Sequence, residues 1–168
     1  MKQLCSQTYS SPIGDIEMLF DGLTLVYLDF FDNQERLEKL LTTRYGRYEI
    51  KPLSDLHPIV DMLDRYFSGE PEDFAGLDIS TGGTEFQQTV WQQLQCIRRG
   101  HTMDYASLAA KAGNAKAVRA AASSNARNPI SIVIPCHRVI GKDGSLRGYA
   151  GGVERKRFLL ELEGAAVQ

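Results

Sequence analysis

The chain has 168 residues, of which 43% are hydrophobic and 24% are charged, and its formal net charge is −2. This composition excludes a disordered or fibrous chain, and no apolar run reaches the roughly 20 residues that a membrane-spanning helix requires. The first residues, MKQLCSQTYSS, lack the apolar core of a signal peptide, so we expect a cytoplasmic protein of one or two small domains.

Alternating apolar residues and turn signals predict a β-hairpin at the start of the chain. Ile16, Met18 and Phe20 alternate up to the turn dipeptide Asp21-Gly22, and a second apolar strand follows from Leu23 to Phe30. The next predicted elements are a helix with the stripe Leu37, Leu40 and Leu41, a strand at Tyr48 and Ile50, and a helix from Pro58 to Ser68-Gly69. The polar, turn-rich segment from Glu70 to Gly83 is predicted to be a linker.

Three helices are predicted in the second half of the chain. Thr84 is expected to cap a helix in which apolar residues recur at helical spacing from Phe86 to Ile97. Two shorter helices, 105–112 and 115–127, are separated by Gly113-Asn114. Two short helices joined by a glycine-containing turn are typical of a helix-turn-helix.

Charge is distributed unequally between the two halves. Residues 1–81 hold 7 Lys and Arg against 15 Asp and Glu, a net charge of −8, whereas residues 82–168 hold 12 against 6, a net charge of +6. We therefore predict an N-terminal domain with its linker at 1–81 and a second domain at 82–168. A basic domain beside an acidic one favours nucleic-acid binding, although an accidental split of surface charge gives the same totals.

The second helix of the predicted helix-turn-helix, AKAVRAAASSNAR, is composed mainly of small residues. One interpretation is close packing against another helix. The other is close approach to a nucleic-acid groove, with Arg119 and Arg127 as the groups that reach the nucleic acid.

The densest chemistry lies in the segment NPISIVIPCHRVIG, residues 128–141. Its apolar run predicts a strand that ends at Cys136, immediately before His137 and Arg138. Cationic or protonatable neighbours lower the pKa of a thiol and make it nucleophilic. A buried, unreactive thiol is the alternative, and it is the interpretation that we keep for Cys5 and Cys96.

This segment, preceded by a helix-turn-helix and followed by GYAGG and a terminal Glu-Gly, resembles the O6-alkylguanine-DNA alkyltransferases. The resemblance implies a mixed α/β (α+β) fold, with a small N-terminal antiparallel sheet and helices followed by a winged helix-turn-helix-like domain. It also implies DNA repair by irreversible transfer of an alkyl group from guanine O6 to a cysteine, once per protein molecule and without a cofactor. The implied partner is double-stranded DNA, bound through the minor groove by a monomer with the damaged base flipped out.

The resemblance implies a role for each of five residues. Cys136 matches the alkyl acceptor, His137 the histidine that deprotonates it through a water, and Glu163 the carboxylate that orients this histidine. Tyr105 matches the tyrosine that donates a hydrogen bond to the leaving base, and Asn128 the residue that braces the active-site turn.

Other residues are expected to contact DNA or to line the pocket. Arg119 matches the arginine that fills the space left by the flipped nucleotide. The other expected DNA contacts are Arg127, Arg138, Lys116 and Ser123. The expected pocket residues are Tyr149, Val139, Gly148 and Ala150. Arg127 departs from the smaller residue of many relatives, which affects the lid of the pocket.

The last predicted helix carries its charges in the order opposite to the helix-dipole preference. Arg155, Lys156 and Arg157 lie near its start, and Glu161 and Glu163 lie at its end. A tolerated surface pattern is one explanation, because each such charge is worth only tenths of a kcal/mol. A carboxylate that is needed elsewhere explains Glu163 better.

The sequence is also compatible with two other functions, and a metal site is not expected. A DNA-binding regulator explains the basic half but gives no role to Cys136 or Glu163. A Cys-His hydrolase explains the thiol and predicts repeated turnover of acyl substrates. We predict no zinc, because Cys5, His57 and His101 are too scattered to form a zinc site.

Overall fold

The computed structural model describes residues 1–167 and contains two compact units, Met1–Gly82 and the chain from Gly83 onward. The boundary between them lies one residue beyond the position that the charge difference suggests, after Thr81. Within the described residues, every helix is too short or too polar to cross a lipid bilayer.

The first unit is built on a four-stranded sheet in the order β3-β2-β1-β4. Its strands are β1 (Lys2–Ser11), β2 (Gly14–Asp21), β3 (Thr24–Phe30) and β4 (Tyr48–Pro52). The predicted hairpin is confirmed as β2 and β3, which pair antiparallel, as do β1 and β2. Strand β4 departs from the expected antiparallel sheet because it pairs in parallel with β1. Helix α1 (Gln34–Tyr45) supplies the crossover that such a parallel arrangement requires.

The core of the first unit forms between the sheet and its helices. Leu37 and Leu41 of α1 pack on a buried cluster that includes Leu4, Leu19 and Val26 of the sheet. Helix α2 (Ile59–Phe67) buries three residues, Ile59, Leu63 and Tyr66. Strands β2 and β3 consist largely of buried residues rather than a strict alternation, as expected for strands covered on both faces.

The segment from Glu70 to Gly83 is attached to the first unit rather than forming a free linker. The Leu25 amide donates to the Asp78 carbonyl, and the Ser80 amide donates to the Leu25 carbonyl, both at 2.9 Å. The guanidinium of Arg44 donates to the carbonyl and hydroxyl oxygens of Ser80 at 2.9 and 2.7 Å. Phe74 is also buried. These contacts leave little of the segment free to act as a linker.

The second unit is mainly helical. Its helices are α3 (Glu85–Gln95), α4 (Tyr105–Lys111), α5 (Val118–Ala126) and α6 (Val153–Leu162). The two-residue strands β5 (Met103–Asp104) and β6 (Val139–Ile140) pair in parallel. Helices α3, α4 and α5 pack against one another, and the Trp91 indole donates to the Ser124 carbonyl at 2.8 Å. The helix-turn-helix therefore has a fixed support.

Two details of this unit follow from its sequence and one differs from it. The Thr84 side chain accepts from the Gln87 amide while the Gln87 side chain accepts from the Thr84 amide, so the predicted cap is a complete capping box. Val90, Trp91 and Leu94 are buried, so the predicted apolar face of α3 packs in the core. Helix α5 begins at Val118, three residues after the predicted start.

The capping box predicts a measurable contribution to stability. Thr84→Ala should lower the free energy of unfolding by about 1 kcal/mol, because an N-terminal amide of α3 loses its acceptor. Urea unfolding followed by circular dichroism measures this change. Thr84→Ser keeps the hydroxyl and should lose little; equal losses in both variants would show that the methyl group of threonine, not the cap, is responsible.

Candidate active site

The apolar run before Cys136 forms a buried turn, so the predicted strand is wrong. Ile132 has a φ of +72°, in the left-handed region, and reverses the chain. The Asn128 side chain closes the turn from inside: its Nδ2 donates to the Ile134 carbonyl at 2.7 Å, and its Oδ1 accepts from the Ile130 amide at 3.0 Å. A continuous apolar run indicates burial but does not distinguish a strand from another buried segment.

Cys136 emerges from this turn as the first residue of a 3₁₀ helix, Cys136–Arg138. It is buried, whereas Cys5 is half-buried in β1 and Cys96 is exposed. The Cys136 amide donates to the Ile134 carbonyl at 2.8 Å. Its carbonyl accepts from the Asn125 side chain of α5 at 3.4 Å, so the thiol-bearing turn is attached to the second helix of the helix-turn-helix.

His137 and Glu163 form a buried pair. The distance between His137 Nε2 and Glu163 Oε2 is 2.8 Å, and both side chains are inaccessible to solvent. Burial lowers the pKa of the His137 imidazole and outweighs the opposing effect of Glu163. Burial alone would raise the pKa of the Glu163 carboxyl, but His137 and Arg138 hold it well below its usual range. The pair therefore consists of a neutral imidazole and an ionised carboxylate.

This charge state determines which histidine nitrogen is the base. An ionised carboxylate only accepts hydrogen bonds, so Nε2 of His137 must carry the hydrogen. The lone pair then lies on Nδ1, which is buried and has no hydrogen-bond partner among residues 1–167. Nδ1 is thus the atom that accepts a proton when a neighbouring acid ionises.

Arg138 belongs to this cluster, and its burial argues against the expected contact with DNA. Its side chain is only 11% exposed. Nε donates to Glu163 Oε1 at 2.8 Å, and Nη1 donates to the Ile97 carbonyl, just beyond α3, at 2.6 Å. Both contacts lie inside the unit, so Nε and Nη1 of this guanidinium are occupied within the site.

Lys156 is a further buried cation at the site, and the sequence analysis missed it. It is 0% exposed, and its ammonium donates to the Val139 carbonyl at 2.5 Å and to the Arg147 carbonyl at 3.4 Å. Burial lowers its pKa to about 8, against the opposing influence of Cys136. The run Arg155-Lys156-Arg157 is typical of a solvated helix face. One signal in the sequence indicated its burial. Lys156 precedes Leu159 and Leu160 by three and four residues, so it shares the helix face that these buried leucines occupy.

Tyr105 and the loop after β6 lie together on another side of the site. The Tyr105 hydroxyl donates to the Arg147 carbonyl at 3.2 Å. Gly148 has a φ of +90°, and a Cβ placed there would lie 2.6 Å from the Tyr105 hydroxyl oxygen. Tyr149 is buried and meets the His137 ring edge-on, with ring centroids 6.3 Å apart. Of the other expected pocket residues, Val139 is buried and Ala150 is half-buried.

The remaining residues expected at DNA lie on or beside α5. Arg119 and Lys116 are exposed, and Ser123 is half-buried. Arg127, also exposed, donates from Nη1 to the Ser123 hydroxyl. These side chains give the helix-turn-helix a basic surface, while Arg138 lies in the interior.

The described part of the chain contains no cluster of three or more His, Cys, Asp or Glu side chains arranged to hold a metal ion. The chemical groups that the structure brings together are instead a thiol, a neutral imidazole, a carboxylate and two buried cations. Such a set supports proton transfer from the thiol and nucleophilic attack by sulfur.

Sequence comparisons match both units. A family profile described as the ribonuclease-like domain of 6-O-methylguanine DNA methyltransferase matches residues 4–81, and the profile of the DNA binding domain matches residues 85–165. A methylated-DNA–protein-cysteine methyltransferase of Salmonella typhimurium is 41% identical over 98% of each chain. One of Mycobacterium leprae is 52% identical over 94% of this chain and 90% of the relative.

Solved structures of the same kind of methyltransferase are also similar to this chain. The crystal structure of Mycobacterium tuberculosis O6-methylguanine methyltransferase superposes with a TM-score of 0.81 and 37% identity, covering 96% of this chain and 93% of that one. The structure of Mycobacterium tuberculosis OGT in complex with DNA has a TM-score of 0.81 and 38% identity, covering 96% and 92%.

Lys156 predicts a dependence of stability on pH. Its pKa is about 8 in the folded protein against 10.5 for the ordinary side chain, so between these values the unfolded chain binds the additional proton and stability rises with pH. Lys156→Met removes this contribution. The unfolding free energy of wild type minus that of the variant should therefore rise by about 2 kcal/mol between about pH 8 and 9.5.

Urea titrations at several pH values measure this difference. Lys142→Met, which removes an exposed lysine, is the matched control, and the rise for Lys156→Met should exceed any change that this control shows. A constant difference for Lys156→Met would contradict the lowered pKa.

Proposed function

This chain belongs to the O6-alkylguanine-DNA alkyltransferase family, and we propose that Cys136 accepts the alkyl group from the O6 atom of guanine. As a member of the family, the protein repairs DNA by transferring a methyl group to one of its own cysteines. The observation that supports Cys136 is its position beside the buried His137–Glu163 pair, which Cys5 and Cys96 do not share.

The reaction begins with ionisation of the thiol. Nδ1 of His137 takes the Cys136 proton, directly or through a water, and the imidazole becomes cationic. Glu163 then stabilises that cation through Nε2. The nearby ammonium of Lys156 adds a positive charge that favours the thiolate.

Transfer is a displacement at the alkyl carbon. The thiolate forms a carbon–sulfur bond while the carbon–O6 bond breaks, and guanine leaves with the electron pair. The Tyr105 hydroxyl donates a hydrogen bond to a ring nitrogen of the departing base; burial raises the pKa of this phenol, so it remains protonated at neutral pH. The product thioether has no thiol proton to give to His137, so each molecule acts once.

Access to the guanine requires that the base leave the helix. Extrusion of a base costs a few kcal/mol, and a side chain that fills the space left in the stack offsets part of that cost. Arg119 is suited to this role because it is exposed on α5 and is followed by Ala120, Ala121 and Ala122, small residues that permit close approach to the minor groove. Lys116 and Arg127 would contact phosphates, and since every proposed group lies in one chain, a monomer suffices.

The acceptor assignment predicts a stoichiometric, single-residue product. Duplex DNA carrying radiolabelled O6-methylguanine should transfer at most one methyl group per protein molecule, and peptide mapping should find it on Cys136. Cys136→Ala should bind the DNA and transfer nothing.

The double variant Cys5→Ala/Cys96→Ala is the matched control and should transfer the label as wild type does. Label on either of those cysteines would overturn the assignment. Repeated turnover would instead favour a Cys-His hydrolase, and binding without transfer by the wild type would favour a DNA-binding regulator.

The role of Arg119 predicts a difference between substrates. Arg119→Ala should slow repair of duplex DNA by roughly tenfold or more, because the cost of extrusion is no longer offset. Its reaction with free O6-benzylguanine should keep the wild-type rate, since that base needs no extrusion. Single-turnover rates with the two substrates decide the point; equal losses on both would refute the insertion role.

A further inference from the structure

We propose that Arg138 is a positioning residue that holds the Glu163 carboxylate against His137. It thereby sets the pH range in which the histidine can take the Cys136 proton. This inference rests on the proposed function, because it assumes that His137 is the base. It assigns a role within the reaction to a cation that neither the acceptor chemistry nor the DNA surface requires.

The two carboxylate oxygens of Glu163 contact two consecutive residues of the 3₁₀ helix, His137 and Arg138. Oε2 faces His137 Nε2 and Oε1 accepts from Arg138 Nε, both at 2.8 Å. The carboxylate is therefore held on both sides, and its rotation would break both contacts. Since Nε2 of His137 points at Oε2, fixing the carboxylate also fixes the plane of the imidazole and the direction of Nδ1.

Arg138 connects this carboxylate to a third segment. Its Nη1 donates to the Ile97 carbonyl at 2.6 Å, so one planar guanidinium contacts the end of α3 and the end of α6 at once. Lysine carries a single ammonium and does not reproduce this forked geometry. Arg138→Lys consequently keeps the charge but loses one of the two fixed contacts.

The backbone near Glu163 has supports that do not involve Arg138. Arg99 Nη2 donates to the Leu162 carbonyl at 3.1 Å, and the Glu163 amide donates to the Leu159 carbonyl at 3.0 Å. Removal of the Arg138 guanidinium therefore removes this contact from Oε1 of the carboxylate while the end of α6 remains attached. Because the backbone keeps these supports, loss of Arg138 can change the position of the carboxylate without unfolding the end of α6. A positioning role can therefore be distinguished from a purely structural one.

The charge of Arg138 also acts on the proton balance of the site. The charged or titratable groups around His137 are Glu163, Arg138, Lys156 and the Tyr149 phenol, with Cys136 adjacent in the chain. Arg138 and Lys156 both disfavour the imidazolium, and Glu163 favours it. In the form of the Cys136–His137 pair with two titratable protons, the sulfur is a thiol and the imidazole is cationic. Without the positive charge of Arg138, this form persists to a higher pH. The form with two protons cannot react, because the thiol has no base available.

Single-turnover transfer from O6-methylguanine duplex DNA tests the proposal. The limiting rate at saturating DNA and the half-saturating DNA concentration are measured across about pH 5.5 to 9. For Arg138→Met, we expect the limiting rate to fall roughly 10- to 100-fold, the usual effect of losing a group that orients a ligand or base. The acid limb of the pH profile should move to higher pH, and half-saturation should not change.

Three variants give the matched comparisons. Arg138→Lys retains the charge, so its acid limb should stay near that of wild type while its limiting rate falls. Glu163→Gln removes the partner, and its limiting rate should fall at least as far as that of Arg138→Met. Lys142→Met changes an exposed charge outside the site and should leave limiting rate and profile unchanged.

Melting temperatures establish that each variant is folded. Should Arg138→Met be unfolded, Arg138→Lys decides the question through its limiting rate. A wild-type limiting rate and pH profile in a folded Arg138 variant would overturn the proposal. A change confined to half-saturation would also overturn it and would favour contact with DNA. Failure of the wild type to methylate Cys136 would instead refute the proposed function itself.

Discussion

A buried carboxylate remains ionised only where cations or hydrogen-bond donors surround it. The active site depends on such a carboxylate, that of Glu163. His137 meets one of its oxygens and Arg138 meets the other. The ionised state forces the hydrogen of the neutral imidazole onto Nε2 and leaves the lone pair on Nδ1. The identity of the base atom thus follows from a charge at the end of α6, remote in sequence from the thiol.

The surroundings of the thiol contain more positive than negative charge. Arg138 and Lys156 are both buried, and Glu163 is the one buried acid that contacts this cluster in the described second unit. Such an environment favours a thiolate over a thiol, as displacement at carbon requires. It also has a cost in stability, because burial weakens the protonation of Lys156, and Ile132 adds a strained backbone conformation.

Local patterns in the sequence predicted the β2–β3 hairpin, the capped helix α3 and the helix-turn-helix, because periodicity and caps are local properties. The resemblance singled out Cys136, His137 and Glu163, and the structure has His137 and Glu163 in direct contact. The burial of Arg138 was not predictable from its neighbours in sequence, and the local signal for Lys156 was limited to its helical spacing to Leu159 and Leu160. The hydrogen-bond partners of the two cations, such as Ile97 and Val139, lie far along the chain. The turn at 128–135 was missed because apolarity alone does not specify backbone conformation.

Measurement of the protonation state of His137 is the most direct test of its role as the base. Nitrogen-15 NMR of histidine-labelled protein distinguishes the two neutral tautomers from the imidazolium, and His137→Gln identifies the signals of His137 by their loss. We expect a neutral ring at about pH 7, with the hydrogen on Nε2 and a lone pair on Nδ1. An imidazolium at that pH, or a neutral ring with its hydrogen on Nδ1, would contradict that role.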